Sequence, residues 1–267
     1  MHNNIPFIQR QGGARAEQHE EIEEEFLNHF KQVHLEPNAD RQPVIEIITH
    51  NVPKLITEEQ NELLLRPILS QEVDTAMSQL KEGKALGPNG FTTAFFHTLW
   101  ELIKLEVWKV VEESRALHWL LPSLNSNFIA LIPKEAESIT LDKFQPIALC
   151  NVIYKVISKV IANRLKPLLP LLISPEQPKY VEGRQIMDGI ILSHEIIHSL
   201  KHSNQVGIIL KLDLSKAFDK LSWNYTQQML IAFGFSSMRI HWIMSLISSS
   251  FFSILVNGIP SRTFSPS

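Results

Sequence analysis

Apolar positions recur at helical spacing through the first half of the chain and give way to short continuous runs near residue 127. In residues 16–34, Ile22, Phe26, Leu27, Phe30 and Val33 fall on one face of a 3.6-residue period, opposite a row of glutamates. This predicts an amphipathic helix with an acidic outer surface. Residues 35–54 are rich in proline and polar side chains and predict a linker. Thr57-Glu58-Glu59-Gln60 predicts a helix start, with Thr57 as N-cap and Gln60 three residues on to complete a capping box. Ser70-Gln71-Glu72-Val73 opens another helix, with Val73, Met77 and Leu80 on one face. Gly87-Pro88-Asn89-Gly90 is a turn, because Pro presets one dihedral and Asn-Gly tolerates positive φ. Phe95, Phe96, Leu99, Trp100, Ile103 and Val107 then predict one long helix.

The period next changes. Asn127–Pro133 and Phe144–Cys150 are short apolar runs on either side of the polar loop 134–143, and they predict an antiparallel strand pair. Residues 151–166 return to helix, with Val152, Ile153, Val156, Ile157, Val160, Ile161 and Leu165 inward and Lys155, Lys159 and Lys166 outward. Leu168–Pro178 is a proline-rich break, and Gly183–Lys201 is predominantly helical. Gly207–Asp213 predicts a strand, Ser222 a helix cap, and residues 237–248 a further helix. Asn257-Gly258 after S-I-L-V is a favoured two-residue hairpin turn. No internal repeat is visible.

Composition adds boundaries. The 267 residues are 44 % apolar, enough for a substantial core. The single cysteine, Cys150, excludes an internal disulfide framework and any all-cysteine zinc site. It suggests a reducing, intracellular setting, nucleus or cytoplasm. M-H-N-N-I-P-F has no apolar core of a secretory signal. Pro, Lys or Ser interrupts every apolar stretch before 18 residues, so no transmembrane helix is expected. Net charge is −3, but it is unevenly placed. Residues 1–50 carry 4 basic and 9 acidic side chains, residues 51–150 carry 9 and 13, and residues 151–267 carry 12 and 6. A basic back half suggests a polyanionic partner; solvated faces with chance asymmetry would give the same numbers.

Two motifs bear on chemistry. His194-Glu195-Ile196-Ile197-His198 matches H-E-x-x-H, in which two histidines on one helix face can share a zinc ion. The longer version of that motif needs a glycine and a third histidine where this chain has Lys201 and Asn204, and His202 lies on the same face. We therefore read an amphipathic helix with polar histidines. In residues 207–213, alternation puts Lys211 and Asp213 on one side and Leu210 and Leu212 on the other. A carboxylate at a strand end can deliver a hard oxygen ligand to a divalent metal, or it can simply cap the following turn.

K-L-D-L-S-K-A-F-D-K-L-S-W, around Asp213, resembles the first palm motif of reverse transcriptases of LINE-type (non-LTR) retrotransposons, the plant ones in particular. Other stretches resemble the same family in order: G-K-A-L-G-P-N-G-F from Gly83, N-F-I-A-L-I-P-K from Asn127, F-Q-P-I-A-L-C-N from Phe144, V-E-G-R-Q-I from Val181, and F-S-I-L-V-N-G-I-P from Phe252. The resemblance covers about residues 17–267.

The resemblance implies an α+β fold, an incomplete right-hand polymerase of fingers and palm with a largely helical N-terminal half. It implies three parts: an acidic helical segment and linker (1–56), a helical extension of the fingers (57–124) and a partial fingers/palm domain (125–267). It implies copying of an RNA template from a DNA primer with deoxynucleoside triphosphates and Mg²⁺. Asp213 matches the catalytic metal-binding carboxylate, with the Leu214 carbonyl as a further ligand. Phe218 matches the aromatic under the incoming sugar, with core packing as the alternative, and Asp219 a structural acid. Lys134 matches a position near the triphosphate, as does Gln145. Lys155, Lys159, Arg164 and Lys166 are expected near the template backbone, and Arg184 is a further nucleic-acid candidate. An ordinary solvated face is the alternative for the α-helical lysines.

The chain also departs from the family pattern. Gln145 stands where the family has Arg, which removes a charge and a guanidinium fork. Asn89 replaces Asp, and Pro178-Lys179-Tyr180 differs from the usual run. The family pattern continues beyond the Asn-Gly hairpin to an Asp-Asp motif and a thumb, and these 267 residues contain no Asp-Asp pair. The expectation is a module that is inactive by itself. A non-catalytic nucleic-acid-binding remnant, a protein-binding role for the acidic helix, and a relic without function are the alternatives.

Overall fold

The structure is a computed structural model that describes residues 4–10, 12–34, 41–135, 138–179, 181–203, 206–208, 210, 212 and 221–266. Near the N-terminus, β1 (Ile8–Gln9) and β2 (Arg15–Ala16) form a short antiparallel ribbon before α1 (His19–His34). The predicted stripe of α1 is its buried face: Ile22, Phe26, Leu27 and Phe30 are each at most 3 % exposed. They pack on Ile129, Leu131, Phe144, Ile254 and Val256 of the main sheet.

That sheet contains β3 (Ser126–Pro133), β4 (Phe144–Cys150), β5 (Phe251–Val256) and β6 (Ile259–Pro260), in the order β4-β3-β5-β6. The predicted β3–β4 antiparallel pair is present, with Ile132 opposite Gln145 and Asn127 opposite Cys150. On its other edge β3 pairs with β5 in parallel, Ile129 beside Ile254. The predicted Asn257-Gly258 turn joins β5 to β6, with positive φ at both residues (52° and 86°), as a two-residue hairpin requires.

The next seven described α-helices follow α1, and several of them build a second core. They are α2 (Gln42–His50), α3 (Glu58–Leu65), α4 (Ser70–Ser78), α5 (Thr93–Thr98), α6 (Trp100–Leu117), α7 (Val152–Leu165) and the short α8 (Leu169–Leu172). Helices α9 (Ile186–His202), α10 (Trp223–Phe233) and α11 (Ser237–Ser248) follow. Val73 and Met77 of α4, Val107 and Val111 of α6, the stripe of α7, and Trp242 and Leu246 of α11 form one apolar cluster. The capping box at Thr57 is complete: its side chain accepts from the Gln60 N–H at 3.2 Å, and its own N–H donates to Gln60 Oε1 at 3.0 Å. Ser222 caps α10, accepting from the Tyr225 N–H.

Three expectations change. The linker read at 35–54 contains α2; its proline sits in the first turn, where no N–H is needed, and Ile45 is buried. The single long helix is two, α5 and α6, meeting at Leu99 (φ −101°, ψ 12°). On either side of that joint, His97 Nε2 lies 3.0 Å from the Leu80 carbonyl and Trp100 Nε1 donates to Asp74 at 2.8 Å, so both tie the chain to the α4 region. The strand read at Gly207–Asp213 is partly outside the described residues. Its described residues 206–208, 210 and 212 belong to no strand, and Val206 and Ile208 are 99 % and 95 % exposed. Among the described residues no helix is long and apolar enough to cross a membrane.

Candidate functional site

The strand alternation of β3 and β4 sorts the candidate residues by face. Ile129, Leu131 and Phe144 point toward α1 and are buried. Gln145, one residue along from Phe144, therefore points away from α1; it is exposed and sits opposite Ile132. Lys134 follows the end of β3, two residues from Ile132, so Lys134 and Gln145 lie at the same end of the β3–β4 pair. The Lys134 backbone N–H donates to the Lys143 carbonyl at 2.9 Å. Its ammonium donates to the Asp142 carbonyl at 2.7 Å and is exposed, which leaves two N–H donors toward solvent.

The opposite end of β4 is held by a residue that the sequence pattern did not single out. Asn151, 3 % exposed, links β4 to α7. Its side-chain oxygen accepts from the Asn89 N–H at 3.1 Å, and its amide donates to the carbonyls of Leu124 (3.2 Å) and Ser126 (3.3 Å). Gly87 lies so close that a Cβ there would meet the Asn151 nitrogen at 2.6 Å. The Gly87–Gly90 turn and the F-Q-P-I-A-L-C-N stretch, 62 residues apart at Asn89 and Asn151, are thus one structural unit. The glycine of the turn was the available signal, since a close backbone approach favours glycine.

The basic residues divide. Lys155 and Lys159 are one helical turn apart on α7, half-exposed, and carry no ion pair among the described residues. Lys166 pairs with Glu182 at 2.9 Å on the surface. Arg164 is a correction to its expected role at a template backbone. Its side chain is 5 % exposed and makes a two-pronged pair with Glu72, Nε to Oε1 at 2.7 Å and Nη2 to Oε2 at 2.8 Å. Its other N–H groups donate to the carbonyls of Leu64, Arg66 and Pro67. A guanidinium has five donors, and here all five are engaged, so none is left for a phosphate. Burial pushes the Glu72 carboxyl up, but the bonds from Arg164 and from the Leu69 N–H outweigh it and hold it below its usual range. This pair floors a cleft of about 540 Å³ between α3, α4 and α7, lined also by Thr75, Asn163 and Leu168. Arg184 is likewise turned inward, donating to the carbonyls of Ile173, Ser174 and Gln177, and so fastens its own loop.

Asp213, Leu214, Phe218 and Asp219 lie outside the described residues. Among the described residues, no cluster of three or more His, Cys, Asp or Glu side chains could hold a metal ion. The described carboxylates nearby in sequence have other tasks: Glu182 pairs with Lys166, and Asp188 accepts from the Gln185 N–H at the start of α9. The described residues therefore do not by themselves fit a divalent ion. Burial pushes the Cys150 thiol up, which leaves it protonated and a poor nucleophile near neutral pH.

Comparison with known proteins adds two findings. A sequence model of the family described as reverse transcriptase (RNA-dependent DNA polymerase) matches residues 132–265, from within β3 past β6. The chain is also similar to the transposon TX1 uncharacterized 149 kDa protein of Xenopus laevis, 27 % identical over 196 residues. That match takes in 73 % of this chain and 15 % of that protein.

Proposed function

Because this chain belongs to the reverse transcriptase (RNA-dependent DNA polymerase) family, we propose that it supplies the fingers and part of the palm of a retrotransposon polymerase. The observation that supports this most directly is that Lys134 and Gln145, both exposed, stand at the same end of the β3–β4 pair, with Gln145 on the sheet face that the acidic α1 does not cover. A triphosphate approaching that face meets an ammonium and an amide and stays clear of the glutamates on α1. Lys134 would attract the phosphates as a point charge, and Gln145 would hydrogen-bond without adding charge. The turn held by Asn151 ties the far end of β4 to the start of α7, and the seven-residue pairing of β4 with β3 carries that strand to the tip.

Family members use divalent metal ions, which position the primer hydroxyl and the triphosphate when bound. In this chain Asp213 is the proposed carboxylate ligand, the Leu214 carbonyl its neighbour, Phe218 the wall under the sugar and Asp219 a structural acid. A single carboxylate cannot hold two ions, and these 267 residues contain no Asp-Asp pair. The 267-residue chain by itself is therefore expected to show no Mg²⁺-dependent primer extension on an RNA template. Measurable extension by the purified chain would overturn that expectation.

A second reading, nucleic-acid binding without chemistry, is favoured by the unpaired Lys155 and Lys159 on α7. RNA template and DNA primer are the partners proposed in either case.

A further inference from the structure

The most unusual charged group among the described residues is Arg239, near the start of α11. It is 0 % exposed, yet none of its three guanidinium nitrogens has a hydrogen-bond partner among the described residues. Its guanidinium carbon lies 4.9 Å from the ring centre of Trp242, itself fully buried with its Nε1 unpartnered. The Nδ1 of His118, at the left-handed end of α6, is a further buried polar atom without a partner among the described residues. Arg239 is within electrostatic reach of Glu72, Arg164, Arg115 and His118, and His241 acts on His118 as well. Glu72 is bound to Arg164, and Glu112 to Arg115. Two arginines are thus neutralised by two glutamates, and the third has no ion-pair partner among the described residues.

A buried guanidinium without partners is costly, and stacking over one indole offsets only part of that cost. Burial lowers the Arg239 pKa to about 9, so at neutral pH the charge remains. The unpartnered groups here are donors, the three guanidinium nitrogens and the indole N–H, with His118 Nδ1 able to take either role. A water molecule placed among them would have to find acceptors for its own two hydrogens. An anion has no hydrogens to place and cancels the charge.

We infer that Arg239 and Trp242, with His118 beside them, form an internal binding site for a small inorganic anion of halide size, which fastens α11 to the α4–α6–α7 helices. Nothing in this inference depends on polymerase chemistry.

The test uses chloride on the full chain. Bound chloride stabilises the fold as the ratio of its concentration to its dissociation constant rises. The thermal midpoint should therefore be higher in potassium chloride than in potassium gluconate at equal ionic strength. The ³⁵Cl line broadening given by the wild-type chain should fall in Arg239→Met. That variant should also lose the difference between the two salts, since it removes the charge but keeps an apolar chain of similar length. Equal midpoints in the two salts for the wild type, or undiminished broadening in Arg239→Met, would overturn the site. Should Arg239→Met fail to fold, bromide-soaked crystals of the wild-type chain decide the matter. An anomalous peak within hydrogen-bond distance of the guanidinium supports the site, and an ordered water or no peak refutes it.

Discussion

Arg164 and Lys155 both stand on α7, yet one is buried and the other half-exposed. The difference comes from what packs over each, and it carries a measurable consequence. Arg164→Ala would leave Glu72 buried without its partner and strip three carbonyls of their donor. Removing one member of a buried pair costs about 3–5 kcal/mol, which should appear as a lower urea midpoint. The pH dependence follows from the same carboxylates. Glu72 is held below its usual range, and so is Glu112, where burial is outweighed by Arg115 and the Ile68 N–H. In the folded state these groups bind protons less readily than in the unfolded chain. Their stabilisation is thus fully present above pH 4.5, the ordinary glutamate value, and is lost as pH falls through the lower folded values. Urea midpoints from pH 7 to pH 3 should fall in that acid window, less steeply in Glu72→Gln.

At the scale of elements, the β5–β6 hairpin does more than reverse the chain. Asn257 accepts from the Ile5 N–H at 2.7 Å and donates to the Ile5 carbonyl at 3.0 Å, a clasp across 252 residues. Arg262, just past β6, binds Glu23 and Glu24 of α1. The N-terminal segment is therefore fastened to the sheet at its edge as well as through its apolar stripe. Asn257→Ala removes both hydrogen bonds and, at φ 52°, the polar side chain by which Asn tolerates the left-handed region. A loss of about 2 kcal/mol is expected. Hydrogen exchange should speed up at the Ile5 and Ile8 amides, while α7 stays protected.

Across the whole molecule, charge and apolar surface are unequally used. The acidic α1 shares a core with β3, β4 and β5 through its apolar stripe. α9 buries none of its residues, and Ile190, Ile191 and Ile196 are exposed. Of the basic residues first considered for nucleic acid, Arg164 and Arg184 hold the fold and Lys166 is paired, whereas Lys155 and Lys159 are not. If the second reading holds, the double reversal Lys155→Glu, Lys159→Glu should weaken RNA binding at low salt. It should also reduce the slope of log affinity against log salt by about 1–2, read by fluorescence anisotropy. Unchanged affinity and slope would assign those lysines to a solvated face.

Several features were legible in the sequence because their causes are local. The stripe of α1, the capping box at Thr57, the Ser222 cap and the Asn257-Gly258 turn each depend on residues a few positions apart. The ordered motifs likewise carry the family, since they are properties of the string. Tertiary structure alone decided the rest. Pairing of β3 with β5 joins Ile129 to Ile254, and no local period encodes that partner. α2 was hidden because proline reads as a breaker except in a first turn, and only the burial of Ile45 shows which case applies. A basic residue on a helical outer face reads the same in sequence whether it meets water or a glutamate from another helix. The carboxylate of Glu72, 92 residues away, made Arg164 a clamp, whereas no carboxylate among the described residues pairs with Lys155 or Lys159. Local spacing sets which way a side chain points, but the chain's long-range packing sets what it finds there.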